Sequence, residues 1–82
     1  MSKKIDIEKN PGLLILEEFI RITGLTNKQI AELYDCSLNY VHKMRSLDRP
    51  VKLDRIIPII YRYGFRQVGW RFEEGIPIAV LK

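Results

Sequence analysis

Side chains suited to nucleophilic or metal chemistry are scarce in this chain. There is one thiol, Cys36, and one imidazole, His42, six positions apart in 82 residues. A covalent catalyst needs its nucleophile within hydrogen-bond reach of a base, and a zinc site needs several Cys or His ligands at short spacings. Neither set is present in the sequence. Glu17 with Glu18, and Glu73 with Glu74, are sequence neighbours. Adjacent residues do not converge on one point, so these carboxylates read as solvated charges rather than an acid–base pair. The segments GLT and GFRQVGW lack the spacing of a phosphate-cradling glycine loop. The chain therefore reads as a non-enzyme, with no metal and no cofactor expected.

What the polar residues do offer is positive charge, unevenly placed. Residues 1–37 hold five Lys/Arg and six Asp/Glu, residues 38–66 hold seven and two, and residues 67–82 hold two and two. The net charge of +4 thus originates in the middle of the chain. A concentrated cationic segment is what a nucleic-acid backbone requires of a partner. A solvated basic surface without a partner would show the same tally, so the charge acquires meaning only from the elements that carry it.

Those elements are mostly helical. Asn10 is a natural cap and Pro11 suits a first helical turn, where its missing N–H is not needed. Leu13, Leu16, Phe19 and Ile20 then form an apolar stripe, widened by Ile15 and Ile22, with Glu17, Glu18 and Arg21 outward and Gly24 as terminator. In Thr26 to Ser46, TNKQIAELYDCSLNYVHKMRS, the spacing of Ile30, Ala31 and Tyr34, and then of Val41 and Met44, predicts two short helices joined by a tight turn. Thr26 and Ser37 are their caps, eleven residues apart. A loop from Leu47 to Lys52, with Asp48 and Pro50 as turn residues, leads to a fourth helix built on Leu53, Ile56, Ile57, Ile59, Ile60 and Tyr63 and ended by Gly64. Pro58 must lie in the first turns of that helix or kink it.

Beyond Gly64 the apolar period changes from helical to alternating. Val68, Trp70 and Phe72 share one face of a strand, and Ile76, Ile78 and Val80 share one face of the next, which predicts a β-hairpin. Gly75 suits the left-handed position of a three-residue turn, and Pro77 suits a strand edge. A lone two-stranded hairpin is marginal in water. It must pack on the helices, pair with a second copy of itself, or both, and these six residues are the candidate dimerisation set. The organisation is then a loose arm at residues 1–9, with Lys3, Lys4 and Lys9, a helical domain at 10–65 and the hairpin at 66–82.

Thr26 to Ser46 resembles the helix-turn-helix of the lambda-repressor-like (Cro/C1, or XRE) DNA-binding family, with Ala31 as the small residue between the two helices and Ile30, Tyr34, Cys36, Val41 and Met44 as the buried set. RSLDRPVKLDRIIPIIYRYG resembles the family's fourth helix, and NPGLLILEEFIRITGLT the first helix of its antitoxin branch. The resemblance spans about residues 10 to 65. One position departs: the family usually has Gly at the turn, where this chain has Asp35.

The resemblance implies a mainly α fold, a bundle of about four helices with the C-terminal β-hairpin appended, and double-stranded DNA as partner. It places Ser37, Leu38, Asn39, Tyr40 and Lys43 toward the major groove. Asn39 suits adenine, Lys43 guanine acceptors and Leu38 a thymine methyl. Asn27, Lys28, His42, Arg45 and Arg49 become candidates for phosphate contacts. The implied function is a homodimeric, sequence-specific transcriptional regulator, a repressor by analogy, reading a pseudo-palindromic operator. The antitoxin branch implies an alternative, a protein-interaction module that holds a toxin through its hairpin. A third reading is a non-specific nucleic-acid binder using the basic face with Tyr40 or Trp70 for stacking.

Length allows one core. Unbroken apolar runs such as Leu13 to Leu16 are far too short for a membrane span. The lone cysteine excludes an internal disulfide, and MSKKIDIEKN lacks the apolar core of a secretory signal, so the expected location is the cytoplasm.

Overall fold

Four helices and one antiparallel hairpin make up the computed structural model, which describes residues 10–46 and 49–82. The arm and its three lysines, with Leu47 and Asp48 of the predicted loop, lie outside the described residues. Among those described, no helix is long and apolar enough to cross a membrane.

Local chemistry sets each helix boundary. Helix α1, Pro11–Thr23, starts where the Asn10 side chain accepts from the Leu13 N–H, and ends where left-handed Gly24 donates back to the Ile20 carbonyl. Its buried face carries Leu13, Ile15, Leu16 and Phe19, whereas Ile22, expected to widen that face, is exposed. Among the described residues, no element covers the last turn of α1 on that side. Helix α2, Asn27–Tyr34, begins with a reciprocal capping box between Thr26 and Gln29. Helix α3, Leu38–Arg45, is capped by Ser37, which accepts from the Tyr40 N–H at 3.1 Å.

Between α2 and α3 the chain turns at Asp35, whose φ of 55° and ψ of 49° place it in the left-handed region. An aspartate thus holds a conformation that glycine adopts most readily. Asp and Asn tolerate this region better than other side chains.

Helix α4, Leu53–Arg62, contains Pro58 as its sixth residue, past the first turn. Pro58 has no N–H for the Asp54 carbonyl, but the residue is exposed and water can serve that oxygen. Ile56, Ile59 and Ile60 are buried, while Leu53, expected on the same apolar face, is 45% exposed.

The helices share a core built from Leu13, Ile15, Leu16, Phe19, Ile30, Ala31, Tyr34, Val41, Met44, Val51, Ile56, Ile59 and Ile60. Phe19 stands edge-on to Tyr63 and Phe65, with ring centroids 5.1 and 6.1 Å away. Gly12 admits the loop after α3. A Cβ there would stand 1.9 Å from the Val51 carbonyl oxygen, so only glycine lets α1 and this loop approach.

The hairpin joins the same core. Strands β1, Val68–Glu73, and β2, Ile76–Leu81, pair in the register Val68↔Leu81, Trp70↔Ala79 and Phe72↔Pro77. The turn is two residues, Glu74 and Gly75, both at positive φ, and not the three expected. That conformation matches the twist of the strands it joins. Gln67 and Lys82 exchange both backbone bonds, so alternate pairs place Phe72 and Pro77 at a non-hydrogen-bonded site. The N–H that Pro77 lacks is therefore one the ladder does not need.

The register also corrects the reading of the two apolar stripes. Opposite residues of an antiparallel pair point to the same face, so Val68, Trp70 and Phe72 lie with Leu81, Ala79 and Pro77. Ile76, Ile78 and Val80 lie on the other face. The buried residues of β2 are Ala79 and Leu81, and β2 packs along α1. Trp70, Phe72 and Ile76 remain exposed at 42, 69 and 61%.

Candidate nucleic-acid interface

Helix α3 is anchored on one side only. Val41 and Met44 are buried against the core, while Ser37, Leu38, Asn39, Tyr40 and His42 are exposed. The first turn of α3 therefore presents a contiguous solvent face. Ser37 divides its role, since its hydroxyl is already the helix cap. The Asn39 amide has no intramolecular partner among the described residues, which leaves both its donor and its acceptor for an external group. Leu38, 45% exposed, forms one wall of an open groove with Lys28, Ala31, Glu32, Asp35 and Cys36. Burial pushes the Cys36 thiol up from its ordinary value.

The ten predicted contact residues do not behave alike. Lys28 and Arg49 are exposed and Lys43 is half-buried. Arg45 and Asn27, both offered as phosphate contacts, are engaged inside the protein. The Arg45 guanidinium donates to both carboxylate oxygens of Glu17, at 2.7 and 2.8 Å, and to the Asn27 Oδ1 at 2.6 Å. This fork ties the end of α3 to α1 and to the start of α2, and so fixes how α3 is held against the body. Glu17, read from sequence as a solvated charge, is its acceptor. Spacing alone did not reveal it, because the partners are 28 residues apart. Glu18 pairs with Arg21 one turn along the same helix, and that hydrogen bond holds the Glu18 carboxyl below its ordinary value.

A second group brings together residues that the sequence did not connect. Tyr34, Tyr40, Met44, Pro50, Lys52 and Arg55 enclose a cleft of about 90 Å³ between α3 and the start of α4. Arg55 donates to the Tyr34 carbonyl at 2.6 Å, and its guanidinium lies 5.4 Å from the centre of the Tyr34 ring. Among the described residues the buried Tyr34 hydroxyl has no hydrogen-bond partner, and burial raises its pKa above that of an ordinary phenol. Lys52 and Arg55 were visible only as members of the basic middle segment. Their shared location depends on the loop that folds α4 back beside α3.

Comparison of the chain with protein-family models, with curated proteins and with solved structures gave no match.

Proposed function

We propose that this protein is a sequence-specific DNA-binding regulator of the lambda-repressor-like helix-turn-helix type, which reads a pseudo-palindromic site as a homodimer. The observation that carries the reading is the head of α3. A helix buried through Val41 and Met44 alone leaves Leu38, Asn39 and Tyr40 exposed together, within the segment that holds seven of the chain's 14 basic residues. Inserted into a major groove, Asn39 suits the paired donor and acceptor of adenine, Lys43 a guanine and Leu38 a thymine methyl. Lys28, His42 and Arg49 flank this face as phosphate contacts. Arg45 contributes by holding α3 in place. Repression is the simplest consequence of such occupancy.

Dimerisation is assigned to the free edge of β1. Among the described residues no strand pairs with the outward N–H and C=O groups of Val68, Trp70 and Phe72 there, while Pro77 blunts the edge of β2. The exposed Trp70 and Phe72 side chains stand beside that edge.

Selection of bound sequences from random duplex DNA at about 0.15 M salt, where non-specific contacts weaken, tests the proposal. The expected product is an inverted repeat with half-sites about one helical turn apart. Asn39→Ala and Lys43→Ala should each lose roughly 1–3 kcal/mol of discrimination at one position of the half-site. No enrichment would overturn the reading. It would favour a second one, a toxin-binding module using the same exposed hairpin, in which Trp70→Ser and Phe72→Ser abolish copurification with a protein partner.

A further inference from the structure

Every residue of β1 after Val68 is exposed, and among the described residues the outer edge of this strand pairs with no other. An exposed edge of this kind is a template for another chain. We infer that its occupant is a second copy of this protein held in one register, a pairing that rests on the homodimer proposed above: two β1 strands run antiparallel about a two-fold axis at Trp70, giving a four-stranded sheet in the order β2-β1-β1-β2.

The backbone restricts the register first. Hydrogen-bonded pairs in the hairpin alternate from Gln67↔Lys82, so the free groups of β1 belong to Val68, Trp70 and Phe72, and those of β2 to Pro77, Ala79 and Leu81. The proline takes a donor away from the β2 edge, which leaves β1 as the complete one. In a two-fold interface, if one residue meets another, the reverse contact is made as well. With the axis at Trp70, Trp70 meets Trp70 and Val68 meets Phe72 in both directions, so every free residue of the edge exchanges its backbone bonds. With the axis at Gly69, Phe72 must meet Arg66, whose N–H already donates to the Lys82 carbonyl at 2.6 Å. With the axis at Arg71, Val68 must meet Glu74, a turn residue at φ 54°. That arrangement also sets two Arg71 side chains directly opposite each other, where like charges repel.

Side chains favour the same register. Trp70 and Phe72, 42 and 69% exposed, lie on the hairpin face whose Ala79 and Leu81 are buried, and β2 alone cannot fill that face as far as β1. A two-fold axis perpendicular to the sheet keeps this face on the same side in both copies. Trp70 then packs on Trp70 and Phe72 on Val68, in a row between the two α1 helices. On the opposite face Arg71 comes opposite Gly69, which has no side chain to obstruct it. Charges complement each other at both ends of the interface, where Arg66 comes opposite Glu74 of the second copy, both exposed.

The test uses the full chain carrying Cys36→Ser, so that introduced thiols are the only ones. Facing residues at non-hydrogen-bonded sites are close enough for a disulfide, and with the axis at Trp70 such a site joins Gly69 to Arg71 of the second copy. Gly69→Cys is tolerable, since a Cβ there meets only the Val80 carbonyl oxygen at 3.9 Å, and Arg71 is exposed. Under mild oxidation the Gly69→Cys and Arg71→Cys proteins should cross-link when mixed and not when alone. A second set keeps Cys36. Trp70→Lys and Trp70→Glu each place like charges opposite one another, so each should sediment as a monomer with an unchanged circular dichroism spectrum, and mixing them should restore the dimer.

Self-linking by Gly69→Cys alone would put the axis at Gly69, and self-linking by Arg71→Cys alone would put it at Arg71. Either result would overturn the register and leave the homodimer standing. A dimer with no cross-link in any combination and no recovery on mixing the charged variants would overturn pairing through β1. A parent chain that sediments as a monomer would overturn the pairing and the homodimer together. A dimer with the expected cross-link that enriches no duplex would support the pairing and reject the DNA-binding reading alone.

Discussion

Asp35→Gly should stabilise this protein, against the usual direction of a glycine substitution. Asp35 closes α2 at φ 55° and ψ 49°. A side chain in the left-handed region costs about 1–2 kcal/mol, somewhat less for Asp, whereas glycine adopts it freely. Against that relief stands the larger entropy of glycine in the unfolded chain, about 0.4–1 kcal/mol. The net expectation is a gain of about 0.5–1 kcal/mol, or a rise of roughly 2–8 °C in Tm for a domain of this size. No native bond should be lost. The turn is closed by backbone contacts, Asp35 N–H to the Glu32 carbonyl at 3.2 Å and Cys36 N–H to the Ala31 carbonyl at 3.0 Å, and the Asp35 side chain is exposed. Asp35→Ala keeps the Cβ and gives up the tolerance particular to Asp, so it should lose about 0.5–1 kcal/mol. Urea unfolding with an unchanged m-value separates the three proteins. If Asp35→Gly matched Asp35→Ala, or fell below the parent, the strain assigned to this turn would not exist.

Other perturbations probe the remaining supports. Gly12→Ala forces a methyl into the Val51 carbonyl, 1.9 Å from the new Cβ, and should destabilise by about 3 kcal/mol, measured as a lowered urea midpoint. A double-mutant cycle on Glu17→Gln and Arg45→Gln should return a coupling of about 1 kcal/mol, while a value near zero would remove the fork from the scaffold. Glu18 has its pKa lowered from 4.5 by Arg21, so the stability it contributes is complete above the unfolded value and is lost as pH falls through the folded one. Glu18→Gln should therefore lower stability near neutrality, where that contribution is complete, and flatten the acid limb of a stability–pH curve below about pH 4.5. Ala79, 1% exposed beneath the hairpin, has no room to grow; Ala79→Leu should lower Tm by several degrees and loosen β2 from α1, seen as faster amide exchange in the strand.

Much of the helical part was readable because its signals are local. Asn10 with Pro11, Thr26 with Gln29, Ser37, and Gly24 act within a turn of the boundaries they mark, and the buried positions of α1 to α3 repeat at the helical period. The candidate reading set at the head of α3 came from the helix-turn-helix resemblance, while periodicity said only that Val41 and Met44 face inward. The hairpin was also readable as alternation, but not its turn length or its buried face. Both stripes on β2 are apolar, and period-two patterning cannot choose between Ile76, Ile78 and Val80 on one side and Ala79 and Leu81 on the other.

What only the tertiary structure decided were the meetings between residues far apart in the chain. Arg45 finds Glu17, 28 residues away in the chain, because α3 crosses α1, and the pair braces α3. Ala79 is buried because α1 lies over it, and Ile22 and Leu53 are exposed because none of the described elements covers the ends of their stripes. The cleft of Tyr34, Tyr40, Lys52 and Arg55 exists because Gly12 lets the loop at Val51 approach α1 and brings the start of α4 beside α3. Sequence determines which residues prefer a cap, a turn or a buried stripe, since those preferences act over three or four positions. Which charge meets which, and which apolar face is covered, depends on how the elements pack.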